Sequence, residues 1–244
     1  MLIEVGLRSA VLVNLLFAAI SNFHLAMRVL GIDPSFTRTG LSILDSDLGV
    51  TAYTSIEVPR VLKEGGNIFH FDKSFQAATW HAKAVRAWLA EYDDAVDAVF
   101  VEMPAMLSGS GPYLLPLQCM LYTEFQDLQK YSTAGLLGSP SGLFSPPTAD
   151  FYLIPPTAIN SLVRPSTAKK RAKKGEIPEV PPKKISKEEG KKLIVQWVLD
   201  HYSIAMNHDE ASAVILAAIG LDILAGTYKK TYQLCPRLQK DLFD

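Results

Sequence analysis

Apolar positions fall first into short unbroken runs between polar, glycine- and proline-bearing stretches, and then into longer segments of helical period. Residues 29–32 form one such run and predict a buried strand over 28–33 that ends on Asp33. The turn Pro34-Ser35-Phe36-Thr37-Arg38 follows, then strands over 40–44 and 51–58, with Asp45-Ser46-Asp47-Leu48-Gly49 as turn chemistry between them. Residues 59–73 carry no period and are expected to loop. Phe75, Ala78, Ala82, Val85, Trp88 and Leu89 then recur at helical spacing and predict a helix over 74–92. A fourth strand, 98–102, ends on Glu102. A Gly/Ser/Pro loop at 108–112 leads to a helix over about 114–130. Residues 151–155 predict a fifth strand, with Thr157 capping a short helix after it. Helices over 186–201 and 209–228 complete the order. Three strands, helix, strand, helix, strand, helices predicts an α/β fold: a mixed five-stranded sheet with helices on both faces.

Asp33, Glu102 and Asp209 stand out against this pattern. The first two end apolar strands, and Asp209, with Glu210 behind it, opens the apolar stretch 211–225. A carboxylate at the end of a buried element costs desolvation energy unless something compensates. Two strand ends and one helix start can converge on a single spot, and hard divalent cations favour such oxygen ligands. Two cations held there can activate a water and stabilise the leaving oxygen of a phosphodiester. Glu210 or His208 is the candidate fourth contributor. Each acid also has a plain structural explanation: turn chemistry at Asp33, a solvated strand end at Glu102, and helix-dipole complementation at Asp209 and Glu210.

Composition narrows the chemistry. In 244 residues with 48% apolar and 20% charged content, one well-filled core is expected, with room for an insertion. Cys119 and Cys235 have no paired spacing, and the five histidines show no ligand spacing, which argues against zinc or a disulfide framework. Net charge is −1, so any affinity for nucleic acid must come from uneven charge. That unevenness lies in residues 164–192, where eleven Lys or Arg face four acids. Pro165, Pro178, Pro181 and Pro182 keep most of the segment out of regular structure. It is either a solvated linker or a phosphate-binding stretch that gains affinity by counterion release. Residues 1–26 hold Arg8 before an apolar segment, 10–20, too short to span a bilayer. They are expected to lie upstream of a start at Met27 or to form a loosely attached extension rather than a secretion signal.

Met27-Arg28-Val29-Leu30-Gly31-Ile32-Asp33-Pro34-Ser35, followed by Thr39-Gly40-Leu41-Ser42-Ile43, resembles the first motif of the RuvC-type Holliday junction resolvases, within the ribonuclease H-like superfamily. Val99-Phe100-Val101-Glu102 is similar to the second acidic strand. Residues 151–157 are similar to the strand and turn before the family's basic region, and Asp209-Glu210-Ala211-Ser212-Ala213 to its final acidic motif. The resemblance spans about 27–225. It implies a ribonuclease H-like nuclease domain over 27–228 with a basic insertion at 164–185, and a C-terminal tail at 229–244. It also implies Asp33, Glu102 and Asp209 as metal ligands, and Mg²⁺ as cofactor, with Mn²⁺ able to substitute; Glu210 is assigned as the fourth ligand by its proximity to Asp209. Lys187 would contact the scissile region. With it, Lys169, Lys170, Arg171, Lys173, Lys174, Lys183 and Lys184 would bind DNA. A homodimer nicking branched DNA, not bound to membrane and located in the cytoplasm, is the implied state.

The chain departs from that family at several positions. Ser212 stands where a second aspartate is usual and Asn160 where another lysine is common. No aromatic ring follows Glu102 in 103–107, and the basic insertion is long. These departures suggest a divergent, phage-type branch. The competing readings are a related nuclease acting on flaps, forks or RNA–DNA hybrids, an actin-like ATP-binding kinase fold, and a non-catalytic DNA-binding protein. No second Gly-rich phosphate loop supports the kinase reading.

Overall fold

A computed structural model of the chain describes residues 26–35, 37–59, 71–92, 95–103, 111–126, 128, 149–163 and 186–228. The expected extension over residues 1–25, the basic insertion 164–185 and the tail 229–244 lie outside the described residues. Strands β1 (Arg28–Asp33), β2 (Arg38–Asp45), β3 (Gly49–Glu57), β4 (Ala98–Glu102) and β5 (Asp150–Ile154) form one sheet in the order β3-β2-β1-β4-β5. The first three pair antiparallel, while β1–β4 and β4–β5 are parallel. The helices are α1 (Phe71–Ala90), α2 (Gly111–Phe125), α3 (Pro156–Val163), α4 (Lys187–Tyr202) and α5 (His208–Leu224). This is the mixed five-stranded α/β sheet with helices on both faces that the element order predicts.

The unbroken apolar runs have a direct cause. Strand side chains alternate between faces, so a run apolar at every position needs cover on both. Leu30, Ile32, Leu41, Ile43, Val99 and Val101 pack in one core with α1 and α2. Val29, Leu44, Ala98 and Phe100 pack in the other, with α3, α4 and α5. The second core is dominated by α5, whose residues from Ala211 to Ala217 are all buried. Such a helix is apolar around its whole circumference because the sheet lies on one side and other helices on the rest.

Two glycines set how close α5 lies to the sheet. A Cβ at Gly31 on β1 would run into the carbonyl oxygen of Ala213, and one at Gly40 on β2 into that of Asp209. Both obstacles are backbone and cannot rotate away. A third glycine, Gly220 on α5 itself, makes room for the ring of Phe100.

Several boundaries differ from the sequence reading; β2 begins at Arg38 rather than 40, for example, and α5 ends at Leu224 rather than 228. Helix α1 begins at Phe71, inside the expected loop. Strand β3 begins at Gly49, whose positive φ of 76° ends the turn and enters the strand directly. Helix α2 stops at Phe125 rather than near residue 130, because Leu128 N–H bonds back to the Phe125 carbonyl at 3.2 Å. That tight turn buries Leu128 completely, and its own carbonyl accepts from Ala149 N–H at the entrance to β5. Among the described residues no helix is long and apolar enough to cross a membrane.

Candidate metal centre

The sheet register brings the first two acids together. β1 and β4 run parallel with Ile32 beside Val101, so the next residues, Asp33 and Glu102, are neighbours. Both follow the alternation of Val29, Gly31, Ala98 and Phe100 and so lie on the α5 face of the sheet. On its other side Asp33 pairs with Gly40, the residue against which the Asp209 backbone rests. Asp209 is thereby delivered over the end of β1. Ligand atoms of Asp33, His208 and Asp209 all lie within 4.8 Å of one another, and Glu102 joins them through a hydrogen bond with Asp33.

The electrostatics of the cluster are divided. Burial, then the charge of Glu102 and the hydrogen bond to it, push the Asp33 carboxyl well above the usual carboxylate range. Burial also raises Glu102, opposed by the hydrogen bond it accepts from Asp33. Two half-buried carboxylates side by side cannot both ionise cheaply, so Asp33 keeps the proton and donates it to Glu102. Asp209 goes the other way. Its hydrogen bond with His208 leads, helped by the charges of His208, Arg38 and Lys191, and together they outweigh burial and hold it below the usual range. His208 Nδ1 lies 3.3 Å from Asp209 Oδ1, and Arg38 Nε lies 3.8 Å from Asp209 Oδ2.

Each arm is braced from a different element. Gln118 on α2 donates from Nε2 to the Glu102 carbonyl at 2.6 Å, and Met103 N–H bonds to the Ile154 carbonyl, which fixes the end of β4. The turn after Asp33 closes on Thr39. Its hydroxyl donates to the Ser35 carbonyl at 3.3 Å and lies 3.2 Å from Nδ1 of the fully buried His81. At α5 the N-cap is Asn207. Its side-chain oxygen accepts from the N–H groups of Asp209 and Glu210, both at 3.0 Å, while the Glu210 carboxylate accepts from Asn207 N–H at 3.0 Å. Asn207 Nδ2 also reaches Ser55 Oγ on β3 at 3.2 Å, so the cap is tied to the sheet. Truncating Asn207 to alanine should cost about 1 kcal/mol of stability through the lost cap. It should also weaken Mn²⁺ binding about tenfold, as loss of groups that orient metal ligands does; calorimetric titration with Mn²⁺ and urea unfolding would measure both.

The structure therefore unites Asp33, Glu102 and Asp209 and adds His208, one of the two candidates for the fourth place. Glu210 stands next to them, with its carboxylate engaged in the capping box. Lys187 is exposed in the first turn of α4, and Lys191, one turn on, is the lysine whose charge reaches Asp209. Ser212 is buried in α5, and Asn160 donates to the Pro156 carbonyl within α3. Lys169, Lys170, Arg171, Lys173, Lys174, Lys183 and Lys184 lie outside the described residues. Arg38, Asn207, Gln118 and His81 were missed by sequence reasoning. Asn207 alone had a local signal, a cap residue with Glu three positions later.

No protein-family model matches this chain, and no curated protein matches it. Several solved structures are similar in shape. Thermus thermophilus RuvC in complex with a Holliday junction substrate aligns over 82% of this chain and 97% of its own, with 13% identity and a TM-score of 0.47. A Fowlpox virus resolvase bound to substrate Holliday junction DNA aligns over 81% and 99%, with 12% identity and a TM-score of 0.38. The yeast mitochondrial Holliday junction resolvase aligns over 79% and 78%, with 12% identity and a TM-score of 0.40.

Proposed function

We propose that this chain is a divalent-cation-dependent endonuclease that cuts branched DNA, with the four-way junction as its substrate. The observation that carries the reading is the convergence of Asp33, Glu102, Asp209 and His208 on the α5 side of the sheet, at the ends of β1 and β4. The donor set fits the group it would hold. Oxygen-rich sites suit Mg²⁺ and Mn²⁺, and a carboxyl kept protonated by its neighbour has an unmet demand for positive charge that a cation would supply. Asp33, Glu102, Asp209 and His208 are the residues that would hold it. When bound, divalent cations lower the pKa of a water and neutralise charge developing on the leaving oxygen.

The protein's own groups do the rest. Glu102, anchored through its carbonyl by Gln118, takes the hydrogen bond of the Asp33 proton, and that proton must leave as positive charge arrives. Glu210 closes the cap that aims Asp209, so its role here is to position. Arg38 and Lys191 add fixed positive charge on the Asp209 side. In sequence the basic insertion joins α3 to α4, the helix that carries Lys191, and its excess of Lys and Arg would add affinity for phosphate. The choice of a four-way junction, and of a homodimer to make paired nicks, rests on the sequence resemblance.

The test is incubation with a synthetic four-way junction and with linear duplex of the same sequence, in Mg²⁺ or Mn²⁺. Junction cut in preference to duplex is the expected result. Equal cutting of both would remove the junction assignment and leave the chemistry. No cutting of either would overturn the nuclease reading.

A further inference from the structure

We propose that Arg38 is a phosphate-binding residue of this site, gripping the DNA backbone next to the carboxylate cluster. The inference rests on the nuclease reading above and adds a residue to it. Arg38 opens β2, directly across from Glu57 on β3, and its Nη2 forms an ion pair with the Glu57 carboxylate. That pair fixes the guanidinium at the rim of the cluster rather than inside it. From there Nε approaches Asp209 Oδ2 at 3.8 Å, which is Coulomb contact but beyond hydrogen-bond reach.

Two facts argue against a purely structural role. The Arg38 side chain is 41% exposed and that of Glu57 49%, and ion pairs so exposed add little to stability. A guanidinium also carries five N–H donors; Glu57 engages the Nη2 arm and Nε lies beyond hydrogen-bond reach of Asp209, so donors are available to a further oxygen acceptor. The charge logic points the same way. Arg38 Nε stands 3.8 Å from Asp209 Oδ2, beside that carboxylate without a hydrogen bond to it. That distance leaves the guanidinium able to turn to an incoming anion whether or not a cation sits on Asp209. The anion that such a site meets is a phosphate, which matches the fork in geometry as well as in sign.

The experiment is a salt series of binding to a fluorescently labelled four-way junction in chelator, where cleavage cannot occur, beside calorimetric titration of the same proteins with Mn²⁺ alone. For R38Q the slope of log affinity against log salt should shrink by about 1, the signature of one lost phosphate contact, with affinity down about five- to tenfold. R38K should keep the slope of the unmodified protein but bind more weakly, because it keeps the charge and loses the fork. An R38Q protein whose salt slope and DNA affinity equal those of the unmodified chain, with only its Mn²⁺ affinity reduced, would overturn the proposal and leave Arg38 as a brace for Asp209. An unmodified chain that binds no DNA at any salt would instead overturn the nuclease reading, and this inference with it.

Discussion

Replacing Asp33 by asparagine is expected to cut junction cleavage by about 1000-fold or more and to make the metal-free protein more stable. The first effect is the loss of about 4 kcal/mol of transition-state stabilisation when one of the central ligands goes. The second follows from the raised Asp33 carboxyl. Its pKa in the folded state lies above the ordinary 3.8, so the folded chain holds this proton more tightly than the unfolded one. Both states are protonated below about that value, and Asp33 then costs nothing. As pH rises from that value through the folded pKa, the unfolded chain ionises first and stability falls. Asparagine fills the same space with no charge to desolvate. A gain of about 1–2 kcal/mol at pH 7 is expected, vanishing near pH 3, and urea unfolding at both pH values measures it. Asp209, held below its ordinary value, works in the opposite direction and loses its contribution as pH falls. Mg²⁺ should raise the unfolding midpoint of the unmodified protein far more than that of the variant. A variant with unchanged stability at pH 7 would show that the Asp33–Glu102 pair is not strained.

Gly31→Ala and Gly40→Ala should separate stability from activity. At Gly31 the added methyl meets the Ala213 carbonyl in the middle of the most buried helix. There α5 cannot tilt away without opening the core, and a loss of about 3 kcal/mol is expected. At Gly40 the methyl meets the Asp209 carbonyl, at the helix start. There the first turn can lift by about 1 Å at smaller cost, but it carries Asp209 away from Asp33. Misplacement of that size costs about 100-fold in rate. Thermal unfolding and single-turnover cleavage would test the pair. If Gly40→Ala cut junctions at the unmodified rate, close approach of helix to strand would not be what sets the site.

Much of the architecture was open to reading from residues alone, for a physical reason. Residues 29–32 and 98–101 are apolar at consecutive positions because both faces are covered, and few other environments produce that pattern. The same runs made Asp33 and Glu102 conspicuous, since each is the first charge after a stretch that excludes charge. Asp209 was legible at the head of an apolar helix. Glu210 was assigned by proximity, but its neighbour Asn207 turns its carboxylate into half of a capping box, a local pattern that was there to be seen. Arg38 is different. Its link to Asp209 depends on strand register and on two glycines that let a helix settle, and no stretch of sequence encodes a contact between residues 171 positions apart. The boundary missed at residue 125 was set by packing, as burial of Leu128 shows, rather than by local preference.

The burial of α5 has a kinetic consequence. Asp209 belongs to the first turn of a helix whose next seven residues are wholly inside, and the helix start is pinned to β3 through Asn207 and Ser55. Sub-global opening that frees a surface helix has no counterpart here, because releasing α5 exposes one of the two cores entire. Amide exchange along Ala211–Ala217 would then occur only when the whole domain unfolds. Release of α5 and loss of the fold are then one event, and the working lifetime of the protein is set by its unfolding rate.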